Sequence, residues 1–390
     1  MPSPSHRARR FEESVIRRMT RVAQRFGAVN LSQGFPDFDP PPALTEALAL
    51  AAAQGPHQYA VTWGAANFRQ ALTAKQNRFT GLGYDADKNV VVTCGSTEAM
   101  MAAMLGLVNP GDKVVVFSPF YENYGADAIL SGAEPVYVPL TPPEFAFDES
   151  ALRAAFAKGP KAVILCNPSN PTGKVFTRDE LELIGTLAEE ADAWVITDEV
   201  YEHIVFSPHE HISFATLPGM FARTVVCGSL SKTYSITGWR LGYAFGPEPA
   251  ISAMRKTHDF LTVGAAAPLQ EAAVAGLTLP DSYYEGLRKE YQGKRDLFLS
   301  LLDRAGLNYT TPQGAYYVLV DIAEFDADDT RFCEWLAEHV GVAAVPGSSF
   351  FQEPVRHLIR FHFAKKDETL REAGERLGRL RETWRTEGYR

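Results

Sequence analysis

The sequence predicts an α/β fold, in which a large domain with a mostly parallel seven-stranded sheet is joined to a smaller α+β domain. The first observation is a set of seven short apolar runs between residues 90 and 246, which alternate with longer helical patterns. The second is that these runs are apolar almost throughout, which is typical of strands covered by helices on both faces. The third is the length of 390 residues, because about 150 residues per domain suggests two domains.

The elements of the large domain follow one another regularly between residues 43 and 281. Helical patterns lie between most of the apolar runs, for example at residues 97–107, 121–130 and 178–191. This alternation does not determine the order of the strands within the sheet. The runs cover residues 90–94, 114–117, 135–138, 162–166, 194–197, 224–227 and 242–245.

The smaller α+β domain is predicted to combine residues 1–42 with residues 282–390. A long polar helix is expected from residue 282 to 304, followed by alternating strand patterns at residues 316–321 and 358–363. A charged helix from residue 366 to about residue 385 completes the chain. Three consecutive prolines, from Pro40 to Pro42, predict a stiff connection between the two domains.

The composition argues against several classes of partner. The chain has 38 Lys and Arg against 47 Asp and Glu, whereas nucleic-acid-binding proteins usually carry a basic excess. It lacks an apolar run of about eighteen residues, so we expect no membrane span. The four cysteines lie far apart without a CxxC pair, which fits buried thiols in a reducing cytoplasm. We therefore expect a cytoplasmic protein that binds neither nucleic acid nor membrane.

Ligands of open α/β sheets bind beyond the carboxyl ends of the strands, so the residues that follow each run are candidates for a site. Gly95, Ser96 and Thr97 open a helix whose free N–H groups suit a phosphate, although for this segment alone a plain N-cap is the favoured explanation. Tyr121 belongs to an aromatic group that either stacks on a ligand or packs in the core. Asn170 lies in a loop with two Asn-Pro steps, which is either a structural turn or a source of amides for the site.

Two further strand ends carry ionisable groups. Asp198 and Tyr201 follow one run, and a carboxylate at the end of a buried strand needs a cationic or hydrogen-bonding partner unless it caps a helix. Lys232 lies among small hydroxyl residues, and it is either a solvated loop lysine or a desolvated amine that forms Schiff bases. Together these features match pyridoxal 5′-phosphate (PLP), which needs a phosphate site, a ring contact, an acid for the pyridine nitrogen and a lysine for the aldehyde.

With these residues the chain resembles the class I (fold type I) PLP-dependent aminotransferases. The resemblance is greatest to their kynurenine/glutamine transaminase and methionine aminotransferase branch, and it extends from about residue 12 to residue 380. It implies the PLP-dependent transferase fold of type I. The matching stretches are residues 30–38, 167–173, 197–201, 229–232 and 237–240.

The resemblance implies catalytic roles for Lys232, Asp198 and Tyr201. Lys232 would hold PLP as an aldimine and then move a proton between Cα and C4′, while Asp198 would pair with the pyridine nitrogen. Asn170 and Tyr201 would hydrogen-bond to the phenolic oxygen of the ring, and Tyr121 would stack on the ring.

The same resemblance implies the residues that bind the phosphate and the substrate. Gly34 would close over the substrate, and Arg360 would bind its α-carboxylate together with Asn170, although an exposed arginine on a strand is the simpler reading of Arg360. Residues 260–263 either line the pocket of the neighbouring subunit or pack as an ordinary helix end. The phosphate would be bound by Ser96, Thr97, Ser229 and Arg240 and, across a homodimer interface, by Tyr59.

The expected function is PLP-dependent transamination. An apolar, aromatic or sulfur-containing L-amino acid, similar to kynurenine, glutamine or methionine, would donate its amino group to a 2-oxo acid by a ping-pong mechanism. β-Elimination from cysteine S-conjugates at the same site is the alternative. His203, His209 and His211 could suggest a metal, but without a supporting carboxylate cluster we expect a solvated loop and no metal site.

Overall fold

The computed structural model describes residues 2–3, 5, 7–11 and 13–388. The strands in chain order are β1 Val29–Asn30, β2 Val90–Thr93, β3 Lys113–Ser118, β4 Glu134–Thr141, β5 Ala146–Phe147, β6 Ala162–Cys166, β7 Trp194–Asp198, β8 Thr224–Ser229, β9 Gly242–Phe245, β10 Asn308–Tyr309, β11 Tyr317–Asp321, β12 Val342–Ala343, β13 Val345–Pro346 and β14 Leu358–His362.

Most of these strands are separated by α-helices, which lie close to the predicted helical segments. The helices are α1 Val15–Phe26, α2 Pro42–Gln54, α3 Ala66–Thr80, α4 Ser96–Leu107, α5 Glu122–Ser131, α6 Glu149–Phe156, α7 Arg178–Glu190, α8 Leu230–Thr233, α9 Glu248–Thr262, α10 Ala267–Leu277, α11 Asp281–Arg304, α12 Asp329–Trp335, α13 Asp367–Leu377 and α14 Leu380–Glu387.

The large sheet confirms the predicted α/β fold of mostly parallel strands. Its order is β2-β9-β8-β7-β6-β3-β4-β5. All seven predicted runs form strands of this sheet, and β9 runs antiparallel to both of its neighbours. The sheet has an eighth strand that the sequence pattern did not predict, because β5 is only two residues long and pairs as a hairpin with the end of β4.

Alternate residues of the central strands pack on opposite faces of the large sheet. Val114 and Val116 of β3 belong to the core formed with α4, α5 and α9. Val115 and Phe117 belong to the core formed with α6 and α7 on the other face. Both faces are therefore covered, which explains why the strands are apolar throughout.

The remaining strands, together with α1 and α11 to α14, form a second layer around a four-stranded antiparallel sheet in the order β10-β11-β14-β13. Its core includes Phe298 of α11, Phe361 of β14 and Leu370 of α13. Strand β1 pairs in parallel with β12, and the backbone N–H of His362 donates to the Leu31 carbonyl at 3.0 Å. These contacts hold the N-terminal segment against the C-terminal part of the chain. The proposed domain boundaries at residues 42 and 281 stay a prediction.

The charged C-terminal helix is interrupted, whereas the sequence predicted one continuous helix. It consists of α13 and α14, with Gly378 and Arg379 between them. Glycine is a poor helix former because it loses the most backbone freedom, so the break falls at Gly378. None of the helices in the described part of the chain is both long and apolar enough to cross a membrane.

Candidate active site

Lys232 lies in the short helix α8, directly after strand β8. Its Nζ donates a hydrogen bond to the carbonyl oxygen of Gly34 at 3.3 Å and lies 5.7 Å from the centre of the Tyr316 ring. Burial lowers the pKa of Lys232 to about 8, and the positive charge of Arg240 acts in the same direction, while Asp198 opposes the shift. About a tenth of the amine is therefore unprotonated at pH 7, far more than for an ordinary lysine, and the unprotonated amine is the nucleophilic form.

Asp198 is the last residue of strand β7 and is buried. Burial raises the pKa of its carboxyl to about 6, although the hydroxyl of Tyr124 donates to Oδ2 at 2.8 Å and lowers it. The nearby charge of Lys232 also lowers this pKa. A cationic group of a ligand would favour the ionised carboxylate further. Tyr124 lies within helix α5 and not directly after β3, so the pattern of strand ends did not predict it.

A cradle for an anion forms at the start of helix α4. Gly95 is the N-cap, with a positive φ of 85°, and a Cβ built on it would lie 2.2 Å from a guanidinium nitrogen of Arg240. The free N–H groups of the first turn and the guanidinium therefore face the same space. Gly242 of β9 lies so close that its Cβ would be 2.2 Å from the Gly95 carbonyl carbon.

Hydroxyl groups lie at the end of β8 and at the start of α4. Ser229 is buried, and its Oγ donates to the Oγ of Ser231 at 2.7 Å. Ser96 is half-buried and Thr97 is exposed in the single chain. Ser231 was not among the predicted site residues, although in the sequence it lies between Ser229 and Lys232, which were.

Arg360 projects from strand β14 and is fully buried, so the alternative of an exposed strand arginine is wrong. Its Nη1 donates to Oδ1 of Asn170 at 2.6 Å and its Nη2 donates to the carbonyl oxygen of Ser32 at 3.0 Å. The guanidinium also lies 4.2 Å from the Tyr317 ring centre and 4.5 Å from the Phe350 ring centre. Nε has no hydrogen-bond partner within the described residues. A planar cation with a free donor is suited to a carboxylate.

Three tyrosines connect Lys232 with Arg360. The hydroxyls of Tyr201 and Tyr317 lie 2.9 Å apart, and the hydroxyl of Tyr316 donates to the Gly34 carbonyl oxygen at 2.9 Å. A Cβ on Gly34 would lie 2.3 Å from the Tyr317 hydroxyl oxygen, so only glycine fits at this position. Burial raises the pKa of Tyr201 well above its ordinary value, which keeps its hydroxyl protonated.

Two predicted aromatic residues differ in their placement. Tyr121 precedes helix α5, and its ring centre lies 6.0 Å from that of Tyr124, the partner of Asp198. Tyr59 is 88% exposed, and the described part of the chain offers it no hydrogen bond and no ring contact. The single chain therefore brings Tyr121 to the site but not Tyr59.

Two of the three histidines after β7, His203 and His211, do not lie in the solvated loop that the sequence predicted, whereas His209 is half-buried. The side chains of His203 and His211 are almost fully buried, and they lie 3.2 Å from Glu202 Oε1 and 2.9 Å from Glu199 Oε2. Each carboxylate comes from the segment that follows Asp198, and the sequence pattern alone did not reveal these pairings. Within the described residues no group of His, Cys, Asp and Glu side chains is arranged to hold a metal ion.

The residues fit PLP. The Gly95 cradle with Arg240 matches a phosphate, the buried carboxyl of Asp198 matches a protonated ring nitrogen, and the amine of Lys232 matches an aldehyde. These three groups come from three separate strand ends of one sheet edge, which is where ligands of open α/β sheets bind.

Known proteins resemble the chain over nearly its whole length. The family model for aminotransferase class I and II matches residues 27–377. A probable N-succinyldiaminopimelate aminotransferase of Mycobacterium tuberculosis is 40% identical over 96% of this chain and 98% of its own. The methionine aminotransferase of Escherichia coli is 39% identical over 94% of this chain and 96% of its own. The kynurenine–oxoglutarate transaminase 3 of the mouse is 35% identical over 91% of this chain and 85% of its own.

Solved structures of aminotransferases superpose closely on the chain. The N-succinyldiaminopimelate aminotransferase structure from M. tuberculosis superposes with a TM-score of 0.94 and covers 97% of this chain and 100% of its own, at 40% identity. An E. coli structure described as a methionine aminotransferase superposes with a TM-score of 0.93 over 97% of this chain and 100% of its own, at 38% identity. The chain therefore belongs to the aminotransferase class I and II family and is a PLP-dependent transaminase of fold type I.

Proposed function

We propose that the protein transfers the amino group of an apolar, aromatic or sulfur-containing L-amino acid to a 2-oxo acid. The observation that carries this proposal is an apolar cluster beside Arg360, made of Ile16, Val345 and Phe350, with Val15, Tyr121 and Phe351 packed against it. Phe350 contacts both this cluster and the Arg360 guanidinium. A substrate whose carboxylate binds Arg360 would direct its side chain towards apolar surface, which favours an apolar side chain.

The names of the relatives support this substrate class in part. Two of them are named for methionine and kynurenine, whereas the M. tuberculosis relative is named for N-succinyldiaminopimelate. The succinyl group of that compound carries a carboxylate, which the apolar cluster would leave without a cationic partner. None of the relatives described above is named as a β-lyase, and we propose no β-elimination activity.

We assign the cofactor-binding roles as follows. Asp198 holds a negative charge opposite the ring nitrogen, and Tyr121 provides a ring contact. Tyr201 and Asn170 hydrogen-bond to the phenolic oxygen of the ring. Four residues of one chain bind the phosphate, namely Ser96, Thr97, Ser229 and Arg240.

The reaction uses these residues to orient the substrate and to move a proton. Bound PLP supplies an aldehyde that condenses with amines and a ring that withdraws electrons from Cα. Arg360 and Asn170 bind the substrate carboxylate, which fixes the direction of the Cα–H bond. The Lys232 amine would then accept the Cα proton and later donate a proton at C4′. Gly34, held by Lys232 and Tyr316, closes the site against water.

The active unit in this proposal is a homodimer in the cytoplasm. Several large apolar side chains are exposed in the single chain, including Tyr59 at 88% and Phe260 at 92%. In the dimer Tyr59 of each subunit completes the phosphate site of the other. All four cysteines are free, which fits a reducing compartment. A fully active monomer in sedimentation experiments would refute the shared site.

A panel of amino donors tests the substrate class. Methionine, kynurenine, phenylalanine, glutamine, aspartate and N-succinyl-L,L-diaminopimelate are each offered with a 2-oxo acid, and the new 2-oxo acid is measured. We expect the highest kcat/KM for the apolar, aromatic and sulfur-containing donors. Preference for either of the two donors with an additional carboxylate would refute the proposal.

Two variants serve as controls for the panel. Ile16→Ala removes three carbon atoms and should lower kcat/KM at least about tenfold for aromatic donors, since even one buried methylene contributes about 1–3 kcal/mol to discrimination, but it should affect the small donor alanine much less. Lys232→Ala should lose the absorption band of lysine-bound PLP together with turnover. A Lys232→Ala variant that transaminates at the normal rate would refute the mechanism.

A further inference from the structure

The buried pair Glu98 and His258 lies behind the phosphate cradle and takes no part in the roles assigned so far. Glu98 follows Ser96 and Thr97 in the first turn of α4, and His258 lies near the end of α9. Nδ1 of His258 lies 2.7 Å from Oε1 of Glu98, and the two side chains are 0% and 8% exposed.

The hydrogen-bond partners of His258 favour the protonated, cationic ring. Its Nε2 lies 2.8 Å from the carbonyl oxygen of Thr62, which can only accept a hydrogen bond. Its Nδ1 faces a carboxylate that also accepts hydrogen bonds from the Thr262 hydroxyl and the Cys94 amide. Both ring nitrogens therefore face acceptors, which favours the imidazolium form. In agreement, Glu98 raises the pKa of His258 despite the opposing effect of burial.

Through this pair three segments of the chain meet. One is the start of α4 with its phosphate-binding residues, the second is the loop at residues 55–65, and the third is the end of α9. The loop carries Tyr59 and reaches His258 through the Thr62 carbonyl, which also lies 3.3 Å from the position of a Cβ on Gly264. The end of α9 carries Phe260, Leu261 and Val263, which are 92%, 46% and 48% exposed.

We propose that Glu98 and His258 are positioning residues that hold the loop at residues 55–65 against the phosphate-binding helix α4. Their buried contact would align two parts of the dimer, the phosphate site of the subunit itself and the Tyr59 side chain that binds the phosphate of the partner subunit. This inference rests on the proposed homodimer with a shared phosphate site. The physical reason is that a loop without regular structure needs tertiary contacts to present Tyr59 in one position. A charge-assisted hydrogen bond to its backbone provides such a contact.

A double-mutant cycle on PLP affinity tests the proposal. Tyr59→Phe alone should raise the PLP dissociation constant about tenfold, which is the usual contribution of one hydrogen bond to a charged group. His258→Gln should raise the dissociation constant by a similar factor, because glutamine is uncharged and would leave Tyr59 misplaced. In the His258→Gln background Tyr59→Phe should then cost less than about twofold, since coupled residues do not act additively.

The loop itself provides a second readout. Amide hydrogen exchange at residues 57–64 should become faster in His258→Gln, while exchange in the central strands β6 and β7 stays unchanged. Arg331→Gln is the matched control, because it also breaks an ion pair, with Asp326, but lies in helix α12 away from the loop. Should His258→Gln fail to fold, Glu98→Gln removes the charge from the other side and carries the same expectations.

The outcomes separate the two proposals. If Tyr59→Phe does not change PLP affinity in the otherwise unchanged protein, the shared phosphate site is wrong, and amide exchange alone decides the role of His258. If Tyr59→Phe weakens PLP binding and the effects of the two substitutions add, the positioning role of His258 is wrong while the shared site stands. Unchanged loop exchange in a folded His258→Gln variant would also overturn the positioning role.

Discussion

Asp127 is a buried carboxyl whose neutralisation should stabilise the protein. It lies in helix α5, one turn after Tyr124, and its side chain is buried with no hydrogen-bond partner for Oδ2 among the described residues. Burial raises the pKa of Asp127 to about 8, and the negative charge of Asp198 contributes. We predict that Asp127→Asn, which keeps the shape and removes the ionisable group, raises the melting temperature.

The size of the effect follows from the two pKa values. In the unfolded chain Asp127 is ionised above pH ~4, whereas the folded protein keeps it protonated up to about pH 8, so folding must take up a proton between these values. Each pH unit in this window costs about 1.4 kcal/mol, which amounts to about 1.5 kcal/mol at pH 5 and about 4 kcal/mol at pH 7. Stability due to this group therefore falls as the pH rises.

Thermal unfolding at several pH values measures this contribution. With an unfolding entropy of about 2.1 cal/mol/K per residue, 4 kcal/mol corresponds to a rise in Tm of about 5 °C at pH 7 and about 2 °C at pH 5. Asp39→Asn, at an exposed position, is the control and should change Tm by less than about 1 °C. A difference between Asp127→Asn and the unchanged protein that stays constant from pH 5 to pH 8 would refute the reasoning.

Three further predictions concern the active site. The rate of covalent PLP binding to the cofactor-free protein should increase about tenfold per pH unit up to about pH 8 and then level off, because only the unprotonated Lys232 amine attacks. Stopped-flow absorbance measures this rate, and a flat profile between pH 6 and pH 8 would contradict the prediction. Gly34→Ala should lower kcat/KM about 10- to 100-fold because its Cβ collides with the Tyr317 hydroxyl, whereas Gly83→Ala, with open space around it, should have little effect. Arg360→Lys should raise KM for the amino donor about 10- to 100-fold in initial-rate measurements, since lysine cannot form the bidentate contact, and it should weaken PLP binding much less. Equal losses of both affinities would speak against a carboxylate-binding role.

Much of the site could be predicted because strand ends are encoded locally. Apolar runs end where polar residues begin, and the carboxyl ends of parallel strands meet at one edge, so Asp198 and Lys232 were candidates without any knowledge of strand order. The pattern of strand ends did not predict Tyr317 or Tyr124 as site residues. Tyr124 lies within a helix rather than at a strand end, and Tyr317 belongs to the smaller sheet, whose approach to the large one leaves no local pattern.

The sequence by itself determined the periodicity of the elements, the α/β class and the family, because these depend on side-chain pattern and on residues that are close in the chain. Tertiary structure alone decided which distant groups share a buried environment. Glu98 and His258 are 160 residues apart, and Arg360 and Asn170 are 190 residues apart. The raised pKa values of His258 and Asp127 follow from such contacts, because burial and neighbouring charges set a pKa and neither can be read from the local sequence.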